Sequence, residues 1–506
     1  MGDLRLHIRL AFCLTAFVCG GVTVAQSQTM QDYEAKRVQV AGLHAALQEV
    51  APSLRHASDL APLVEDFVGT TVSHGNHSFP APQEMANGDV TLVDLRLALV
   101  QMSFAVGSND QITIVRAQPV AQPQVIAIRN GAVDLRQLQA WAATLPDPTA
   151  IIDGDTLRLP LVIFQNARFD LTPGDVLRLS QTDGAFIANL GTLVVNDAEI
   201  SATAQKNLRA VEFAPFVTTI GTGMAHMSNA LFADLGFGDT AAFSGVAVIN
   251  RGLYQPIGAS FLTGSVLRNV KKVTFDSADS PAIAGNAFVG ANAGALELRN
   301  SRDADITANF FLNNARGAAL RVTDGSLGTT IAGNIVLGSD RTGIAVNRGS
   351  NDTIIRQNLV WKSGGGGISA SRSNCIYVAD NISIDNALKG IELRTSQNAE
   401  VLANQLLGNQ SIGLFVADQP VGTLTQVTDN TFVANRIGLS SASAHRLTLH
   451  GNNFQNQFPR FLDGDLAAQS HQIVADLRGE HDIDLTAGGI EVFNQPPVTC
   501  TFKVDS

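Results

Sequence analysis

One asparagine returns at almost constant spacing down the C-terminal half of the chain: Asn286, Asn309, Asn334, Asn358, Asn381, Asn404, Asn430 and Asn452, with gaps of 22 to 26 residues. Most are followed two residues later by an apolar side chain, as in Asn334–Val336, Asn358–Val360 and Asn430–Phe432. A period of roughly 20 to 50 residues marks stacked units, each too small to bury a core alone.

Around each asparagine the pattern is the same. One short apolar segment ends near it, a second begins just after it, and a third opens with glycine, as at Gly317-Ala318, Gly343-Ile344, Gly367-Ile368, Gly390-Ile391, Gly413-Leu414 and Gly438-Leu439. Three short strands per turn of about 24 residues describe a right-handed parallel β-helix. Stacked asparagines suit it, because each amide bonds the next along the axis and the residue tolerates turn conformations. A leucine-rich horseshoe competes, but its consensus is absent.

Upstream the pattern differs. Residues 30–70 read as helical, with Val38, Leu43, Ala46, Leu47 and Val50 at helical spacing, interrupted by Pro52 and Pro62. From about Asp110 strands are expected at Ile112–Val115 and Val125–Ile128, then a helix over Asp134–Ala143 and a boundary at Pro146 and Pro148. Arg5, Arg9, the apolar stretch Leu10–Val24 and the small residue Ala25 read as a secretory signal. The expected division is signal 1–25, a mixed α/β region 26–150, the β-helix 151–460 and a C-terminal cap 461–506. No membrane span is expected once the signal is removed.

Net charge is −11, which argues against nucleic acid as a partner. Between Asn286 and Ser440 acids and bases balance, so the repeat region is basic relative to the rest. Aligned on the glycine that opens the third strand, Arg299, Arg321, Arg348, Arg372 and Arg394 fall at one rung position within one residue. Such a column, about 4.8 Å per step, fits a periodic anion such as a chain of uronic acid sugars, since guanidinium forks match carboxylates. The alternative is local pairing of each arginine with an acid such as Glu297 or Glu392. All ten histidines lie outside Met227–Ala444, so a histidine base in the middle rungs is excluded. Tyr254, Tyr377, Lys362 and Lys389 are weak proton-transfer candidates, the two tyrosines being expected partly buried, and His74 and His77 are expected in a solvated loop. Asp303, Asp305, Asp324 and Asp352 are too scattered over different turns to make a cation site. No cofactor or metal is expected, and whether Cys375 and Cys500 pair is left open.

Three stretches add a family resemblance: IRNGAVDLRQLQAW (128–141), LRLPLVIFQNARFDLTPGDVLRLSQTDGAFIANLGTLVVNDAEIS (157–201) and FAPFVTTIGTG (213–223). Together with the rungs they resemble the periplasmic mannuronan (alginate) C5-epimerases. The resemblance implies an all-β, pectate-lyase-like solenoid in the periplasm or secreted. It further implies action on polymeric mannuronate during polysaccharide export, beside other export proteins. The reaction would take the C5 proton of a sugar and return one from the opposite face, with a cation neutralising the adjacent carboxylate. By this resemblance Arg348 is the neutralising cation and Arg372 a further matched arginine. The family's Asp-Pro-His-Asp motif corresponds to Arg321-Val322-Thr323-Asp324, where only Asp324 matches and Thr323 stands in place of the basic histidine. Two expectations follow: a non-catalytic polyuronate-binding relative, or an active epimerase (or lyase) with a substitute base such as Tyr377.

Overall fold

The chain forms a right-handed parallel β-solenoid in a computed structural model that describes residues 27–68, 84–106, 111–487 and 500. The expected signal at 1–25, and His74 and His77, lie outside the described residues. Each turn gives one strand to each of three stacked sheets. One turn runs Leu296–Arg299 in the first sheet, Asp305–Thr307 in the second and Phe310–Leu312 in the third. The next runs Leu320–Thr323, Thr330–Ala332 and Ile335–Leu337, each in parallel register with the strand before it. The stack already includes Gln124–Asp134, which pairs with Leu161–Leu171 ahead of the expected boundary at Pro146.

Alternation along each strand sends every second side chain inward. Leu298, Val322, Val346, Ala370 and Leu393 therefore form one buried column of the core. Phenylalanines stack the same way, with Phe288 on Phe311 at 4.8 Å and Phe432 on Phe454 at 4.4 Å between ring centres.

The repeated asparagines occupy the corner between the second and third sheets, and all eight are buried. From each, both the backbone N–H and the side-chain amide donate to the Oδ1 of the next. The distances are 3.0 and 2.9 Å from Asn358 to Asn381, and 2.9 and 3.0 Å from Asn404 to Asn430. A second ladder lies at the corner between the third and first sheets: Asn386 donates to Asn409, Asn409 to Asn435 and Asn435 to Gln457. The glycines that open the first-sheet strands face this ladder. A Cβ at Gly390 would lie 2.6 Å from the Gly413 carbonyl and 2.8 Å from the Asn409 amide. Serines hold the remaining corner, Ser301 donating through its backbone to Ser326 and Ser350 to Ser373.

Helices cover two of the outer walls. Ser27–Val50 lies along the third sheet, burying Tyr33, Val40, Leu43 and Leu47 against Leu312, Ile335, Leu359, Trp361 and Leu407. Val38 faces away and is 70% exposed. Tyr33 donates to Asp385 at 2.9 Å, fixing the helix along the axis. Residues Leu95–Val106 and Gln111–Ala117 pack with Phe186, Phe213, Phe216, Phe237 and Phe243 over the early turns of the first sheet. The expected strand at Ile112–Val115 is thus a helix. Ile114 and Ala117, one turn apart, are both fully buried there, whereas Ile112 and Val115 are 58% and 48% exposed. The expected helix is present at Leu135–Ala142, with Asp134 and Gln137 forming a reciprocal capping box. Cys375 and Cys500 are joined as a disulfide. The first sheet's outer face beyond Asp276 has no such helical cover among the described residues.

Replacing Asn358 with Ala leaves the buried Asn334 N–H and the Ile331 carbonyl without their partners. We expect a loss of about 3 kcal/mol, from roughly 1–3 kcal/mol per buried unsatisfied group, read as a lower urea midpoint. Exposed Gln410→Ala, outside the corner ladders, should stay within about 0.5 kcal/mol.

Candidate functional site

The corner that follows each first-sheet strand holds its leading residue in the left-handed region: Ser277, Asn300, Asp324, Arg348, Arg372, Thr395, Asp418 and Ser443 have φ between 45° and 59°. Asn and Asp adopt this conformation readily, whereas arginine gains nothing locally from it and costs about 1 kcal/mol or more. Arg348 and Arg372 therefore stand at this corner against the local backbone preference.

The five arginines share the open side of the first sheet but not one column. Register places Arg299 in line with Thr323, and Asn347, Ser371 and Arg394 continue that line. Arg348 and Arg372 each follow it by one residue. Arg321 lies two positions earlier, opposite Glu297 and Ala345. The displacement has a simple origin. Leu320 pairs with Ile344, so Ala319, not Gly317, is the counterpart of Gly343.

What the fold builds is an alternating ladder of charge. Arg251 grips Asp276 through a two-point fork, with Nε 3.0 Å from Oδ1 and Nη2 2.5 Å from Oδ2. Arg299 approaches Asp276 at 4.0 Å and pairs with Asp324 at 2.8 Å. Arg348 also pairs with Asp324, at 3.2 Å. Steps of 23 to 25 residues separate these members, one per turn. Alternation then fails, because Arg372 follows Arg348 directly. Arg394, one turn later, pairs with Asp418 and lies 3.5 Å from Glu392. Among the described residues Arg321 and Arg372 form no ion pair, and both are exposed. Local pairing thus holds Arg299, Arg348 and Arg394, although the chief partners are aspartates a turn away. Arg251, Asp276 and Asp418 were not anticipated. Their signal was a charged residue every 24 or so positions, continuing on both sides of the arginines.

Asp324 sits between two guanidinium groups. Partial burial pushes its carboxyl up, but hydrogen bonds from Arg348 and Arg299 outweigh this and hold it below the usual range. It stays ionised and is ill suited to deliver a proton. Thr323 is buried and donates to Asn347 at 2.5 Å. Tyr377 does not join this group. It points outward from the second sheet, between Ile354 and Glu400, because the chain turns the corner after Arg372. Burial and the nearby Asp380 and Glu400 raise its pKa, making it a poorer base. Tyr254, expected to be partly buried, is 80% exposed on the loop after Arg251. Lys389 is engaged by Glu392 at 2.8 Å, and Lys362 lies over the Trp361 ring.

Asp324→Asn should remove one charge from the ladder and release Arg299 and Arg348. Polyanion affinity should rise about threefold or more, measured by titration calorimetry at low salt. The depressed pKa also fixes a sign. The stability contributed by ionised Asp324 is fully present above its ordinary pKa of 3.8 and is lost as pH falls below that through the folded value. The gap in stability between wild type and Asp324→Asn should close on acidification.

Residues 321–465 match the family described as periplasmic copper-binding protein (NosD), a segment well short of half the chain. Among the described residues no three His, Cys, Asp or Glu side chains converge as a metal site. A mannuronan C5-epimerase of Pseudomonas aeruginosa is 32% identical over 151 residues, 28% of this chain and 27% of that protein. One from Pseudomonas putida is 22% identical over 312 residues, 58% and 59% of the two chains. The matches thus span less than two thirds of either relative. A mutant of the periplasmic alginate epimerase AlgG has the same fold, with a TM-score of 0.61 at 18% identity over 78% of this chain and 96% of that one. The chain therefore resembles mannuronan C5-epimerases in sequence and shares the solenoid fold of AlgG.

Proposed function

We propose that the protein binds an acidic polysaccharide of the polyuronate class along the outer face of its first sheet, in the periplasm or secreted, without epimerising it. The observation that carries this reading is the break in the ladder. Arg348 and Arg372 stand on consecutive turns, about 4.8 Å apart in rise; Arg348 shares Asp324 with Arg299, and Arg372 has no anionic partner among the described residues. Two cations at that separation repel by about 1 kcal/mol even in water. A carboxylate from a sugar chain lying along the axis relieves this, and a periodic anion does so at each step. The resemblance to mannuronan C5-epimerases supports mannuronate as the first polymer to test, with polysaccharide export as the setting and export proteins as neighbours.

Among the described residues, the three candidates for the proton-transfer half of epimerisation are poorly placed for it. Thr323 is buried in a hydrogen bond, Asp324 is held ionised by two arginines, and Tyr377 belongs to another wall. Arg348, Arg372, Arg321 and Arg394 are accordingly read as binding residues, with Asp324 setting the position of Arg348 and Asp418 that of Arg394.

With polymannuronate in heavy water, no deuterium should enter C5 by NMR, and no absorbance from unsaturated chain ends should develop. Deuterium at C5 would instead establish the active epimerase, and unsaturated ends a lyase. Replacing Arg348 and Arg372 together with Ala should weaken polymer binding about 30-fold, at about 1 kcal/mol per exposed charge contact. The wild-type affinity should fall as salt is raised.

A further inference from the structure

The ladder has two chemically different segments. The proposed polyuronate face lies at Arg348–Arg394, where positive charge is in excess. One to four turns before it, an open cleft of about 460 Å³ is lined by Arg251, Gly252, Gln255, Asp276, Ser277, Arg299, Asn300 and Asp324. Here two arginines face two aspartates, so the lining carries no net charge. Both guanidinium groups are engaged by carboxylates of the chain itself. A uronate carboxylate placed there would meet Asp276 and Asp324 without a free cation to bind it.

The same lining is rich in paired donors and acceptors. Ser277 donates to Asp276 at 2.9 Å, and the Asn300 amide donates to Ser277 at 3.0 Å. Carboxylate oxygens, a hydroxyl and amides at such spacing suit vicinal sugar hydroxyls, each of which both donates and accepts. The cleft volume falls within the roughly 300–1,000 Å³ of small-molecule sites.

One wall is a long loop. Residues 250–260 join Gly245–Ile249 to Phe261–Thr263, whereas the next such corner, 277–281, takes five residues. Leu253, Tyr254 and Ile257 on this loop are 98%, 80% and 98% exposed, and Gly252 and Gln255 on either side of the first two line the cleft. An aromatic ring with a polar tip at the rim of a polar cleft suits the apolar face of a sugar ring.

We infer that this cleft binds an uncharged sugar unit, so that the protein recognises a polysaccharide in which neutral and uronic residues occur together. The inference rests on the polyuronate reading of the neighbouring face. It is tested with three β-1,4-linked hexasaccharides: all mannuronate, the same chain with two consecutive units carboxyl-reduced to mannose, and all mannose. Binding is measured by calorimetry on the full chain and on Tyr254→Ala, Asn300→Ala and Arg372→Ala. The mixed oligomer should bind at least about threefold tighter than the all-acid one. Tyr254→Ala and Asn300→Ala, both at exposed positions, should abolish that gain and leave all-acid binding within about twofold. Arg372→Ala should weaken both acidic oligomers. A mixed oligomer that binds no tighter than the all-acid one, or a gain that survives both cleft substitutions, overturns the inference. Loss of all-acid binding in the wild type would instead overturn the polyuronate reading. In that case, binding of the all-mannose chain that Tyr254→Ala removes would still uphold the cleft, and no such binding would reject it.

Discussion

Hydrogen bonds that run along the axis, from one buried amide to the next, hold the register of the solenoid from Asn286 to Asn452. A slip by one residue in a β-strand would turn its core face outward. The asparagine at one corner, the second amide ladder at another and the serines at the third each tie a fixed backbone position to its counterpart a turn later. Because those ties are in a buried, low-dielectric setting, leaving one unmade is costly. The outer face inherits the same registration. Charges separated by one turn in sequence are brought close enough to pair only because the interior does not slip.

That inheritance explains the ladder from Arg251 to Arg348. Each member is a turn away from the next, and each pair is non-local in sequence yet adjacent in space. Aspartates placed between arginines neutralise them and hold their side chains upright. No acid separates Arg348 from Arg372, and Arg372 has no ion pair among the described residues. Small side chains beside them, Ala345, Ser369, Asn347 and Ser371, keep the surface shallow. The alternation of balanced and unbalanced segments is a property of the stack that no single rung contains.

The period of Asn286 to Asn452 made the fold readable, because burying a stacked amide demands nearly the same residue on every turn. The second ladder was less visible: Asn386, Asn409 and Asn435 give way to serine at position 363 and glutamine at 457. The site was readable only in part. Arg348 and Arg372 do share one corner position on consecutive turns, as the alignment placed them, but Gly317 misled the alignment by two residues and put Arg321 in the wrong column. Tyr377 could not be assigned to a wall without knowing where the corner falls. Arg251 and Asp276 precede the regular asparagines, and the long loop at 250–260 hides their period. The helix at Gln111–Ala117 was missed because β-branched residues favour strands locally, while Ile114 and Ala117 gain more by packing on the phenylalanine cluster.

The solenoid reverses chain direction at its margins. Val90–Asp94 runs antiparallel to Gln124–Ile128 at one end, and Ile483–Thr486 runs antiparallel to Arg446–Leu449 at the other. Parallel coils expose a terminal row of amides and carbonyls that would template the next coil of any similar molecule. A strand of opposite polarity occupies one such row at each end, the first-sheet row at the start and the second-sheet row at the finish. The two reversed strands thus work against end-to-end stacking of one copy on another at the rows they cover.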